Sequence, residues 1–370
     1  MDGIAVRAGA AVPRDHEGVS SRSGPWRLGP ADFVWIDTGE PMPPGTDTVV
    51  ESERVHIGAD GSARISGPAP RGLNVRPVGE DFATGQLLIP AGHRLRPVDL
   101  AAAAAAGHVT LDVVHRPVVA IIPTGDEIRP IGSALHPGQV TDSNSPMLAA
   151  QVTESGGTPV VGDVQPDDPA AIAAAVTHAA RDADLVLLIA GSSSGHRDHA
   201  PGVLAEIGGL VVRGVAVRPG HPALLGYARP PEPRGRQAAR AVPVIGIPGY
   251  PLAAVVIFEL FAVPLLAALQ GCKPPVRPRH RAQLACDWTS SPDVEDWVPV
   301  SLAPRPAGPE PAVAALATPG RRGAGAISRL VRADAWWPIP IGQATFSAGE
   351  QIDVQPIPGA PTVLGGLTGA

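Results

Sequence analysis

Four short segments of this chain collect the residue types that bind anions and metal ions, and each follows an apolar run. Pro123-Thr124-Gly125-Asp126-Glu127 follows Val118 to Ile122, and Ala190-Gly191-Ser192-Ser193-Ser194-Gly195-His196-Arg197-Asp198-His199 follows Leu185 to Ile189. Arg218-Pro219-Gly220-His221-Pro222 follows Leu210 to Val217, and Pro248-Gly249-Tyr250-Pro251 follows Val242 to Ile247. Gly191 to Gly195 offers backbone N–H groups and three hydroxyls with little bulk, a composition suited to a phosphate or a polar heterocycle. Many strand-to-helix turns are equally rich in Gly and Ser, so that loop alone does not decide. Asp126, Glu127, Asp167, Asp168 and Asp198 fall at or near the same edge. Carboxylates beside a phosphate site imply Mg²⁺, since the ion offsets repulsion between like charges. The plainer reading of Asp168 is a helix cap, and of Asp126 a bond within its own turn. His196 and His199 flank Asp198, yet a zinc site would need a helix and a third ligand, so a solvated or substrate-facing pair is the simpler reading. There is no G-x-x-x-x-G-K-[ST] loop and no His-Glu-x-x-His, which argues against a simple nucleoside triphosphatase.

The elements that must position these loops alternate. Val118 to Ile122 and Leu185 to Ile189 are continuous apolar runs, as expected of strands buried on both faces. Asn144-Ser145-Pro146 opens a helix that stops at Gly156-Gly157. Pro159 to Val161 is a short strand. Asp168 caps a helix with Pro169 at its first position, running to about Arg181. Leu210 to Val217 and Val242 to Ile247 read as further strands, with a helix from about Leu252. In such sheets ligands bind beyond the carboxyl ends of the strands, where the four segments converge. The expected fold is therefore α/β and β multidomain: a central three-layer α/β domain with a mostly parallel sheet at 117–271, a β-rich N-terminal domain at 1–75, and a small C-terminal β domain at 279–370. Phe33 to Ile36, Thr48 to Val50 and Gly85 to Ile89 are the strand-like runs of the N-terminal zone, and Val98 to Ala106 is an Ala-rich helix ended by Gly107. Cys272 to Pro278 is a Pro-rich, stiff linker.

Composition narrows the partners. The 370 residues suffice for two or three domains of ~100–200 residues each. A formal charge of −6 argues against a nucleic-acid groove, which needs clustered Lys and Arg. The basic stretch Arg229 to Arg240 is Pro-rich and reads as a solvated loop. Cys272 and Cys286 form no metal spacing, and a reducing, cytoplasmic compartment is the simple inference. The apolar run Leu252 to Leu269 contains Glu259 and Pro264, which favours a buried helix over a membrane span.

At these residues the chain resembles the molybdopterin molybdenumtransferase family, relatives of the E domain of gephyrin. The resemblance runs in order through Met1-Asp2-Gly3, Thr38-Gly39-Glu40-Pro41, Asn74-Val75-Arg76 and Gly79-Glu80-Asp81. It continues through Thr124-Gly125-Asp126-Glu127, Gly138 to Asn144, Asp167-Asp168, Arg218-Pro219-Gly220 and Pro248-Gly249-Tyr250-Pro251. It implies an enzyme of molybdenum cofactor biosynthesis that inserts molybdate into adenylylated molybdopterin, assisted by Mg²⁺, with release of AMP. It also implies a homodimer, with no nucleic acid and no membrane. By resemblance, Asp2, Thr38, Asp81, Glu127, Asp198 and Arg218 are the catalytic candidates, and Glu127, Asp167 and Asp198 hold the metal. Gly191, Ser192, Ser193, Ser194, Gly195, His221, Pro248, Gly249 and Ser328 are the implied binding residues.

The chain departs from that pattern in ways that matter. Arg218 and His221 stand where the family usually has two lysines. Arg218 keeps a charge suited to molybdate or phosphate, and His221 is cationic only if its pKa permits. Tyr250 replaces the usual Asn, and the Ser-rich loop is altered. These changes motivate an alternative, a catalytically impaired molybdopterin-binding paralogue. Residues 76–116 are expected to be the remnant of a small dimerisation domain whose first part family members place ahead of Met-Asp-Gly. Asp2 thus starts a chain end that would fray unless tied down, and an exposed apolar face would invite aggregation.

Overall fold

The computed structural model describes residues 2–10, 12–13, 26–190, 199–229, 240–304, 315–320 and 327–360. It divides into two compact units, residues 1–91 with 95–110, and residues 92–94 with 111–370.

In the first unit the strand Gly3–Val6 is central, paired antiparallel with Phe33–Ile36 on one side and Thr48–Glu51 on the other. Its alternation feeds two cores: Ile4 and Val6 pack with Leu28, Val50 and Ile65, while Ala5 packs with Ile36 and Val49. A strand's side chains alternate between faces, so a central strand between two clusters is buried throughout. Gly3 is required here, because a Cβ would stand 2.0 Å from the Val50 carbonyl oxygen. The segment expected to fray is therefore tied down. Residues Gly85 to Ile89 form no strand. Pro90 and Gly92 interrupt the run, and Leu87 stays 75% exposed. The expected helix is present as Pro97–Ala105, with Asp99 closing its first turn onto the Arg96 N–H at 2.7 Å.

The second unit holds a six-stranded sheet in the order Thr158–Val161, Val118–Pro123, Leu185–Ala190, Val242–Pro248, Leu224–Ala228, Gly208–Arg213. The first four strands are mutually parallel, Leu224–Ala228 runs antiparallel to them, and Gly208–Arg213 runs antiparallel to Leu224–Ala228. Successive residues of each strand enter opposite layers. Val119, Ile121, Leu185, Leu187, Ile245 and Ile247 pack beneath the helix Asn144–Glu154 and the long helix starting at Pro251. Ala120, Ile122, Val186, Leu188 and Val244 pack beneath Pro169–Ala179 and Ala200–Ile207. Burying each such side chain contributes ~1.5–3 kcal/mol, which is why the runs carry no polar residue until they reach the edge.

Two features of this sheet differ from the expectation. Leu210 to Val217 is not one strand. Gly208–Arg213 ends at Gly214, whose φ of +77° turns the chain, and Val217–Arg218 leaves to join another sheet. Leu224–Ala228 is a strand that periodicity did not mark, because Gly226 and the following Pro-rich stretch disguise it; it fills the hairpin between Gly208–Arg213 and Val242–Pro248.

The C-terminal β domain closes around Ala282, Leu284, Val298, Val300, Trp337 and Ile339. Its long strand Glu295–Pro304 runs antiparallel to Ala315–Pro319 and Ala335–Ile339. N-terminal β domain, central α/β domain and C-terminal β domain thus stand as the sequence implied.

Pro251–Leu269 is long and apolar enough to cross a membrane by length and composition. Here it is a core helix, with Val256, Ile257, Phe258 and Leu266 fully buried. Pro264 cannot donate to the helix ladder and would crowd the carbonyl four residues back. The turn Phe258–Ala262 absorbs this by widening to π geometry, with the Val263 N–H bonding Phe258 five residues earlier. Glu259 lies in that turn and is 15% exposed, paired with Arg277 of the Pro-rich linker. Burial pushes the Glu259 carboxyl above its ordinary value, and Arg277 only partly offsets this. A carboxyl raised on folding binds its proton more tightly in the native state, so stability falls as pH rises from the unfolded value through the raised one. Glu259→Gln removes that slope. The Tm of the variant relative to the parent is expected to be more favourable at about pH 7 than at about pH 4, checked by thermal melts at both.

Candidate functional site at the carboxyl edge of the sheet

The loops beyond the parallel strands are locked to one another by backbone and short side chains. Thr124 is buried, and both its N–H and its Oγ1 bond the Ile189 carbonyl, at 2.9 and 3.0 Å. It is a clamp between neighbouring strand ends and not a reactive hydroxyl. Gly125 has φ +138°, and a Cβ there would meet Ile128 at 2.7 Å and the Glu127 carboxylate at 3.1 Å. Glycine at this position lets Glu127 fold back over the turn. Asp126 and Asp167 exchange bonds across two loops: the Asp167 N–H donates to Asp126 Oδ1 at 3.2 Å, and the Asp126 N–H approaches Asp167 Oδ2 at 3.5 Å. Asp126 therefore braces the neighbouring loop, and not its own turn as the plain reading expected. Asp168 is the helix cap, accepting from the Ala171 N–H at 2.8 Å.

The motif ending in Asn144 explains itself by return. Val140–Thr141 pairs in parallel with Ile128–Arg129, directly after Glu127. Asp142 Oδ1 accepts the Ser145 N–H at 3.0 Å, and the Asn144 amide donates to the Gly249 carbonyl at 2.7 Å. One helix start thus fixes the Pro248-Gly249-Tyr250 loop beside the carboxylate loops.

Arg218 and His221 line a cavity of 320 Å³ with Tyr250, Trp288, Asp296 and Trp297. Gly220, at φ +131°, lies against Ile257, which a Cβ would meet at 2.7 Å. His221 Nδ1 is 2.8 Å from the Val215 carbonyl, which leaves Nε2 as the nitrogen able to meet a ligand. Arg218 is paired within the protein. Its Nε donates to Asp296 Oδ1 at 3.2 Å, its Nη2 bonds Asp296 Oδ2, and Nη2 also reaches Ser290 Oγ at 3.3 Å. The hydrogen bond it donates to Asp296 holds the guanidinium above its ordinary pKa, against the opposing pull of burial. Asp296, Ser290 and the two tryptophans were not among the sequence candidates. Asp296 stands beside Glu295 at the start of the apolar run Trp297 to Val300, so no local pattern singles it out as buried.

The remaining candidates fall as follows. Ser328 is exposed on the short helix Ile327–Val331. Leu330 of that helix packs on the cluster of Val217, Leu252 and Trp297 beside Arg218. In the first unit, Asp2 Oδ1 accepts both the Thr38 N–H at 2.9 Å and the Thr38 hydroxyl at 2.8 Å. Asp81 instead pairs with Arg76 at 2.8 Å, next to Glu80. Gly191, Ser192, Ser193, Ser194, Gly195, His196 and Asp198 lie outside the described residues. His199 precedes the helix Ala200–Ile207, whose first turn closes on its carbonyl. Among the described residues no group of three His, Cys, Asp or Glu is arranged to hold a metal ion.

Residues 120–268 match the probable molybdopterin binding domain, residues 1–107 the MoeA N-terminal region (domain I and II), and residues 281–357 the MoeA C-terminal region (domain IV). Molybdopterin molybdenumtransferase 2 of Mycobacterium tuberculosis is 33% identical over 309 residues, spanning 78% of this chain and 73% of that protein. The chain belongs to the molybdopterin molybdenumtransferase family. It is an enzyme of molybdenum cofactor biosynthesis. A molybdopterin molybdenumtransferase of Synechococcus elongatus is 31% identical over 335 residues, spanning 86% of this chain and 75% of that protein. A molybdopterin biosynthesis MoeA protein of Pyrococcus horikoshii superposes with a TM-score of 0.76 at 30% identity, covering 96% of this chain and 86% of its own. A second structure of that organism's protein, at 23% identity and TM-score 0.72, agrees in fold.

The Asp2–Thr38 contact can be tested directly. The Thr38 N–H, then its hydroxyl, hold the Asp2 carboxyl below its ordinary value. Its stabilising contribution is present above the unfolded value and is lost as pH falls through the lowered one. Titration of the Asp2 carboxyl by NMR is expected to give a midpoint below the ordinary aspartate value, and Thr38→Ala is expected to raise it.

Proposed function

We propose that this chain inserts molybdate into adenylylated molybdopterin, with release of AMP. The observation that carries the reading, in a member of this family, is the Pro248-Gly249-Tyr250 loop: Pro248 and Tyr250 line the Arg218–His221 cavity, and Gly249 is held by Asn144 of the motif that pairs back beside Glu127. Arg218 and His221 would hold the oxyanion. Pro248 and Gly249, with Gly191 to Gly195 and Ser328, would bind the pterin and its phosphates through backbone groups and hydroxyls. Tyr250, Trp288 and Trp297 give the cavity apolar walls that lower the local dielectric and strengthen each polar contact inside.

Glu127 and Asp167, with Asp198, would hold Mg²⁺. The donor set fits: these are hard oxygen ligands, and this ion is usually held by one or two carboxylates together with substrate phosphates, so a complete protein cage is not required. Bound there, the ion would polarise the pyrophosphate. Asp126 and Asp167 keep the two loops in register, so that Glu127 is presented without rearrangement. Asp2, Thr38 and Asp81 are proposed to complete the site from the N-terminal region, in a cytoplasmic homodimer with residues 76–116 as its dimerisation segment. One observation favours the impaired-paralogue reading: Asp296 already offsets the charge of Arg218.

Supplying adenylylated molybdopterin, molybdate and Mg²⁺ separates the two. The expected result is AMP release with metallated cofactor, lost on chelation and lowered about 10–100-fold in kcat by Glu127→Gln. Binding without AMP release would leave the paralogue reading standing.

A further inference from the structure

Asp296 is a carboxylate of the C-terminal β domain committed to a residue of the α/β domain. It is 5% exposed, the second residue of the strand Glu295–Pro304. Both its oxygens face Arg218, and Oδ2 also accepts the Ser290 hydroxyl at 2.8 Å. The backbones repeat the pairing. Val217–Arg218 runs parallel to Glu295–Asp296 with Arg218 opposite Asp296, and the Glu295 N–H bonds the Ala216 carbonyl at 2.9 Å. A two-point contact fixes the plane of a guanidinium as well as its place. With Nε and Nη2 taken, Nη1 is the nitrogen left without a protein partner among the described residues, and Arg218 lines the cavity that also holds His221.

We propose that Asp296, braced by Ser290, is a positioning residue that holds the Arg218 guanidinium with its Nη1 edge toward the oxyanion; this rests on the reading of Arg218 as an anion-holding group. Two effects of Asp296 oppose one another. Its charge repels an arriving anion, and its hydrogen bonds aim the donors that receive it. Asp296 also lines the cavity, but both its oxygens are engaged by Arg218 and Ser290, so its charge is largely offset there and aim outweighs repulsion. In Asp296→Asn, one accepting oxygen becomes an NH₂ group facing N–H donors, and the fork must turn away.

The test uses molybdate alone on the full chain, with affinity measured by calorimetry and folding followed by circular dichroism and Tm. Asp296→Asn is expected to weaken molybdate binding about 10-fold and Ser290→Ala about 3-fold, in the range typical of residues that orient a ligand-holding group. In an Arg218→Lys background, which lacks the fork, Asp296→Asn is expected to change affinity by less than about 2-fold. Unchanged or tighter binding by folded Asp296→Asn overturns the proposal. If that variant fails to fold, unchanged binding by Ser290→Ala overturns it instead. Arg218→Ala separates the two layers. If it leaves molybdate binding intact, or if the parent chain binds no molybdate, the reading of Arg218 fails and the inference with it. If it weakens binding while Asp296→Asn does not, the inference alone fails.

Discussion

A sheet covered by helices on both faces meets water only at its ends. In the α/β domain this constraint governs everything else. Val119 to Ile122, Leu185 to Ile189 and Val244 to Ile247 alternate between two apolar layers and leave no room for a polar side chain. Polar chemistry is pushed to the strand termini, and parallel strands bring those termini to one edge. The loops at that edge are then held by contacts that use little side chain: Thr124 to Ile189, Asp126 with Asp167, and Asn144 to Gly249. The site is rigid because its supports are strand ends.

Much of this was legible in the sequence, for a definite reason. Continuous apolar runs followed by Gly, Pro and small polar residues mark buried parallel strands and their functional ends. The capping role of Asp168 was readable because Pro169 follows it. Leu224–Ala228 was not readable, since it is a short strand broken by Gly226 and running into a Pro-rich stretch. Gly85 to Ile89 had the composition of a strand and lacked a partner, which composition cannot report. The pairing of Arg218 with Asp296 spans 78 residues between two domains, and no local pattern encodes it.

The N-terminal unit reaches order by a different route. Gly3 permits close approach to the Val50 carbonyl, and the central position of its strand gives Ile4 and Val6 full burial. Asp2, one residue earlier, borrows that rigidity. Its exposed carboxylate is ordered by Thr38 across the sheet, through both the Thr38 N–H and hydroxyl.

The short strand Val217–Arg218 belongs by sequence to the α/β domain and by hydrogen bonding to the C-terminal sheet. The two domains are therefore stitched, and not merely adjacent. A chimera that exchanged the C-terminal domain for a relative's would also exchange the partner of Arg218. The graft would need an acid at the position of Asp296 and an extended edge to receive Val217. Cations at 218 and acids at 296 should thus travel together when such domains are recombined.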